Sequence, residues 1–151
     1  MELYYNIKPE SLRLQRSIIL PNNVQTVPTL TDFVDEVCKA LEFDRSATMK
    51  MSLAIEEAVV NVMDYAYPVG TMGDVKVEAL ADDVCLIFSI IDNGIPFDPT
   101  LKGEVDTTLP AEERPIGGLG IHLIRQIMDS IHYERIEDKN ILTLRKKLIK
   151  T

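Results

Sequence analysis

The stretch from 45 to 66 constrains the fold most. It reads as one helix, capped by Asp44 and stopped by Pro68 and Gly70. On a wheel of about 100° per residue with Met51 at zero, Ile55, Ala58, Val62 and Tyr65 fall within roughly 40° of it. That stripe is suited to lie on a sheet. Glu57, Asn61 and Asp64 share one flank, between about −80° and −140°. Leu53 and Val60 lie on the far side, so that face is apolar as well. A helix apolar on two sides with one polar wedge is not an ordinary surface helix. Its second apolar side needs cover, from another helix of the chain or from a second copy in a homodimer.

The flanking segments supply partners. Residues 12–20 read as a strand with Leu12, Leu14 and Ile18 pointing one way, ended by Pro21. Asn22 or Asn23 caps a helix running to about Leu41, with Val27, Leu30, Val34, Val37 and Leu41 at helical spacing. Pro28 falls in its first turns, where it does least harm. Residues 75–81 and 84–92 read as two strands joined at Asp82 and Asp83, the second almost wholly apolar, as a central strand would be. Residues 93–117 have no clear period and hold Pro96, Pro99, Pro110 and Pro115. A loop this long inside a compact domain is usually functional or mobile. A helix over about 119–128 and strands over 131–136 and 141–148 complete the chain. The expected fold class is α+β: a two-layer sandwich with a mixed, mostly antiparallel sheet and helices on one face. The length, 151 residues, fits one domain spanning 1–151.

The net charge of −8 argues against nucleic acid as a partner, since phosphates need a basic surface. Cys38 and Cys85 sit among apolar neighbours with no metal or redox spacing, so both read as small buried hydrophobes. The first nine residues lack a basic region followed by an apolar run. The longest strongly apolar stretch, 84–91, is far short of a membrane span. These features lead us to expect a cytoplasmic protein with no membrane partner.

Three segments carry candidate chemistry. An amide oxygen such as that of Asn61 is a good neutral ligand for magnesium. A carboxylate one turn earlier, Glu57, can orient a hydroxyl for attack on a phosphate. Read alone, the pair is equally a solvated strip, and Asp64 is a solvent or outer group. Asp92-Asn93-Gly94-Ile95-Pro96-Phe97-Asp98-Pro99 follows the apolar strand directly. A carboxylate at the end of a buried strand needs a partner, and the exocyclic amine of adenine is a suitable donor. Gly94 would let a flat ring approach the backbone, although Asn-Gly is also common turn chemistry. Gly117-Gly118-Leu119-Gly120 opens the third helix, where bare N–H groups favour anions. It is neither a Walker loop nor a dinucleotide fingerprint: no Gly-Lys-Ser/Thr follows, and Leu123 stands where a third glycine belongs.

Taken in order, Glu57-Ala58-Val59-Val60-Asn61, Asp92-Asn93-Gly94 with Pro96-Phe97-Asp98-Pro99, and Gly117-Gly118-Leu119-Gly120-Ile121 resemble the N, G1 and G2 boxes of the GHKL (Bergerat-fold) ATPases. Gyrase and histidine-kinase ATP-binding domains belong to that superfamily, and the closest likeness is to bacterial anti-sigma-factor serine/threonine kinases. The resemblance covers about 10–148. It implies ATP and Mg2+ as cofactors, with Asn61 on the metal and Glu57 as catalytic base toward an acceptor hydroxyl. It implies Asp92, Gly94, Pro96 and Phe97 around the base, and Gly117, Gly118, Leu119, Gly120 and Ile121 at the phosphates. Residues 98–116 would form a lid, from which Arg114 could reach a phosphate. The implied partners are a sigma factor and a small anti-sigma antagonist protein, which would be phosphorylated on serine or threonine. An ATP-dependent binding switch without phosphotransfer, or a detached histidine-kinase catalytic domain, would carry the same boxes. Two positions depart from the pattern. Tyr65 stands where many relatives have histidine, and Lys139-Asn140 where they have Gly-Thr, leaving Asn140 or Thr143 as the candidate beside adenine. His122 and His132 have no motif partner and read as structural or solvent-facing.

Overall fold

The computed structural model describes residues 7–101 and 118–148. Its strands are β1 (Leu14–Pro21), β2 (Asp74–Ala81), β3 (Cys85–Asp92), β4 (Ser130–Ile136) and β5 (Lys139–Lys147). Its helices are α1 (Val27–Ala40), α2 (Arg45–Tyr65) and α3 (Gly118–Ile127). The strands form one sheet in the order β1-β2-β3-β5-β4. Every pairing among the described residues is antiparallel, which narrows the mixed sheet expected from sequence. Pro21, with no N–H to give, ends an edge strand, where it is tolerated.

The helices lie on one face. The α2 stripe of Met51, Ile55, Ala58 and Val62 is buried with Val77, Ala79, Phe88 and Ile90 in one core. Each such aliphatic chain contributes about 1.5–3 kcal/mol when fully buried. The second apolar side of α2 is only partly covered, with Val60 half-buried. α1 packs on α2 and buries Leu30, Phe33, Val34, Val37 and Cys38, while Leu53 stays 47% exposed. Asp44 caps α2 as expected, its Oδ1 accepting from Ala47 N at 2.7 Å, a bond of about 1 kcal/mol.

Two boundaries differ from expectation for local reasons. Asn23 caps a short 3-10 turn at Val24–Thr26, its side chain accepting from Gln25 N, and α1 begins only at Val27. Pro28 then sits in the first turn of α1, where its missing N–H has no helical partner to lose. The β4–β5 connection is a two-residue turn at Glu137 (φ 49°) and Asp138 (φ 64°). Both residues are left-handed, as a tight hairpin requires, but neither is the glycine or asparagine that usually announces one. Asn140 therefore lies inside β5, not ahead of it.

Cys38 and Cys85 are buried and unpaired with each other. Burial pushes the Cys38 thiol up to about 11 and raises that of Cys85, so both stay protonated and act as hydrophobes. No described helix is long and apolar enough to cross a membrane. Of the expected lid, only the start is described, a 3-10 turn at Pro99–Leu101. Arg114 and Gly117 lie outside the described residues.

Candidate functional site

The polar wedge of α2 is graded by depth. Asp64 faces solvent, Glu57 is half-buried, and Asn61 is only 6% exposed. What covers the wedge is the first turn of α3. A methyl group placed on Gly120 would lie 2.7 Å from Glu57 Oε2 and 3.2 Å from Asn61 Nδ2. Gly118 and Leu119 enter the same turn as backbone. Its leading N–H groups have no helical acceptor and favour an anion. Ile121 and Ile124 are fully buried and hold α3 on the core. The side chain of Ile121 is therefore a packing group. An anion at this helix start would sit beside Glu57 and Asn61.

Gly120→Ala tests this convergence. Alanine favours a helix over glycine by about 1 kcal/mol, so the melting temperature should not fall. The new methyl displaces Glu57 and Asn61 instead, and Mg-ATP affinity or turnover should drop at least about tenfold. Unchanged function would mean that the α2–α3 contact does not matter to the chemistry.

Among the described residues, no three His, Cys, Asp or Glu side chains cluster tightly enough to hold a metal ion. Asn61 could hold magnesium only together with phosphate oxygens and water, which is how this ion is commonly bound beside nucleotides.

The second part of the site lies at the end of β3. Asp92 is 2% exposed. Its Oδ1 accepts from Gly94 N at 2.8 Å and from Asn140 Nδ2 at 2.9 Å. Its Oδ2 is buried with no hydrogen-bond partner among the described residues. Burial raises the carboxyl's pKa, against the donors from Asn140 and Gly94 and the charge of Arg135. A buried acceptor without a donor is costly, and the amine of adenine is a donor chemically suited to this oxygen.

Gly94 is required by the fold itself. The direction its side chain would take is filled by the carbonyl of Ala66, just past the end of α2. That carbonyl also accepts from Ile95 N at 2.8 Å. Pro96 is exposed. Phe97 is half-buried and its ring stacks on Tyr65, centroids 5.3 Å apart. Tyr65 thus fills the usual histidine position with an aromatic wall.

Register puts Asn140, and not Thr143, on the face of Asp92. Asn140 is the ladder partner of Asp92, whereas Thr143 pairs with Ser89. Side chains alternate along a strand, so Thr143 lies on the opposite sheet face and Asn140 on the site's face. Three further residues brace the site and carried no sequence signal. The Tyr67 hydroxyl donates to Asp74 O at 2.7 Å and accepts from Asn93 N at 3.0 Å. Arg135 donates to Gly94 O at 2.8 Å, and Tyr133 donates to Asn140 Oδ1 at 2.5 Å. Nothing in a linear chain links position 67 to 93, or 135 to 94. His122 is exposed, and His132 lies 3.5 Å from Glu134 on the edge strand β4.

Residues 20–146 match the histidine kinase-like ATPase domain, a span that takes in all three glycine- and asparagine-bearing segments. The chain belongs to this family. Among curated proteins, the serine-protein kinase RsbW of Bacillus mycoides is 33% identical to this ATPase domain over 96 residues. That alignment covers 61% of this chain and 59% of the relative. The proteins of the same name from Bacillus thuringiensis and Bacillus cereus match with the same identity and coverage. The aligned part is thus less than two thirds of the length of these relatives.

Proposed function

We propose that this ATPase domain binds ATP with Mg2+ and is a protein serine/threonine kinase of the anti-sigma type. Its substrate is a hydroxyl of a small antagonist protein, and its alternative partner is a sigma factor. The observation that carries the reading is the contact of Gly120 with Glu57 and Asn61, because it joins a phosphate cradle to a base and a metal ligand. In this reading Glu57 takes the proton from the acceptor hydroxyl, the γ-phosphoryl group passes to that oxygen, and ADP leaves. Magnesium supplies neutralisation of phosphate charge. Asn61 would hold it, and Asp92 Oδ2 would accept from the adenine amine. The similarity to serine-protein kinase RsbW supports the partner class.

The test is incubation with Mg-ATP and a candidate antagonist. Phosphoserine or phosphothreonine should form, and Glu57→Ala should slow it by about 10²–10⁴-fold. Wild type indistinguishable from Glu57→Ala would sink the kinase reading. ATP-dependent partner binding that survives Glu57→Gln without turnover would make the chain a switch instead. Calorimetry supplies the metal arm: Asn61→Ala should remove the magnesium dependence of ATP affinity. Equal affinity with and without the metal in wild type would remove Asn61 from the metal.

A further inference from the structure

Asn140 uses every hydrogen-bonding valence of its side chain. Its Nδ2 donates to Asp92 Oδ1 at 2.9 Å and to Ile95 O at 2.8 Å. Its Oδ1 accepts from the Tyr133 hydroxyl at 2.5 Å and from Phe97 N at 3.3 Å. A primary amide has two donors and room for two acceptances, so none is left over. The residue is 3% exposed. These partners also fix which way the amide faces. Turned over, it would set its oxygen against two acceptors and its NH2 against the Phe97 N–H. Position follows from the tight Glu137–Asp138 turn and from the ladder that sets Asn140 opposite Asp92.

The consequence falls on Asp92. With Oδ1 occupied by Gly94 N and Asn140 Nδ2, only Oδ2 remains to accept. We propose that Asn140 is a positioning residue for base selection: it holds Asp92 as an acceptor-only carboxylate, so the site takes a purine with a 6-amino donor and rejects one with a 6-oxo acceptor. This rests on the ATP-binding reading above. The groups around Asp92 are Asn140 from β5, the Gly94 N–H, the attractive Arg135 from β4, and the Tyr67 and Tyr133 hydroxyls. Burial raises the pKa of both tyrosines, which keeps them neutral.

The experiment is calorimetric titration of the full chain with ATP and with ITP, which carries a 6-oxo group for the amine and an N1–H for the bare N1. It is run as a pH series, because burial raises the Asp92 carboxyl. Wild type should prefer ATP by about 100-fold or more, and should lose ATP affinity as pH falls and Asp92 takes a proton. Asn140→Ala removes a donor from the carboxylate. Its preference for ATP should shrink at least about tenfold, and its loss of affinity should begin at higher pH. Asn140→Asp should reverse the slope. The introduced carboxyl faces Asp92, so one proton must be shared. ATP affinity should then be at least about tenfold below wild type at high pH and recover on acidification. Should either variant fail to fold, the other carries the same two readouts. A purely structural role for Asn140 would weaken ATP and ITP together and leave the wild-type pH slope, which overturns the inference alone. Wild type that binds neither nucleotide overturns the ATP reading and this inference with it.

Discussion

Asp92→Asn is expected to abolish tight ATP binding while leaving the domain at least as stable as wild type. The amide keeps an oxygen where Gly94 N and Asn140 Nδ2 donate. It then places an NH2 where the unpartnered Oδ2 now lies. Donor would meet donor at the adenine amine, and affinity should fall by about 10- to 100-fold, given roughly 1.5–3 kcal/mol for a charged hydrogen bond. Stability runs the other way. The folded pKa of Asp92 is raised by burial, so the folded state holds the proton more tightly than the unfolded state. Stability from this group is therefore greatest in acid and is lost as pH rises from the unfolded value through the raised folded one. Wherever it is ionised, the buried carboxylate is a cost that asparagine lacks. Thermal melts should show the variant at or above wild type near neutrality, with the difference closing on acidification. A variant melting well below wild type at neutral pH, or retaining wild-type ATP affinity, would contradict the assignment.

Gly94→Ala should have the largest effect on folding. Its methyl would overlap the Ala66 carbonyl, which is backbone and cannot rotate away. Retreat of that carbonyl would break the Ile95 N bond and disturb Ala66, whose own N–H closes the last turn of α2 on Val62 O at 2.9 Å. The expected cost is about 3 kcal/mol. For a chain of this size that lowers the melting temperature by roughly 6–12 °C. ATP affinity should fall too, because Asp92 is anchored on Gly94 N. Scanning calorimetry checks the first effect, and a loss under about 1 kcal/mol would mean that the loop yields easily. The contrast with Gly120→Ala is informative. There the neighbours are the ends of two side chains, so function should suffer and the fold should not.

The course of α2 was legible because periodicity and two terminators agreed. Asp44, the 3.6-residue stripe and Pro68 are all local signals. The wedge of Glu57, Asn61 and Asp64 followed from the same arithmetic, but their burial did not, since it depends on where α3 lands. The β4–β5 turn was illegible for a different reason. Glu137 and Asp138 take left-handed backbone without the residues that usually mark it, so the sequence pattern starts the last strand at 141 while β5 begins at Lys139 and contains Asn140. Gly94 was recognised as needing bare backbone. The group that needs it proved to be Ala66, a neighbour only in space.

The sequence by itself determined the elements and the three segments on which the chemistry depends, because helix stripes, strand alternation and glycine-bearing turns are written in neighbouring residues. Only the tertiary structure decided that Gly120 meets Glu57 and Asn61, that α1 packs on α2, and that Asn140 rather than Thr143 holds Asp92. The last decision turns on strand register. A shift of one residue sends every side chain of a strand to the other face, and register is fixed by the turn and the packed core together, not by either strand's sequence alone.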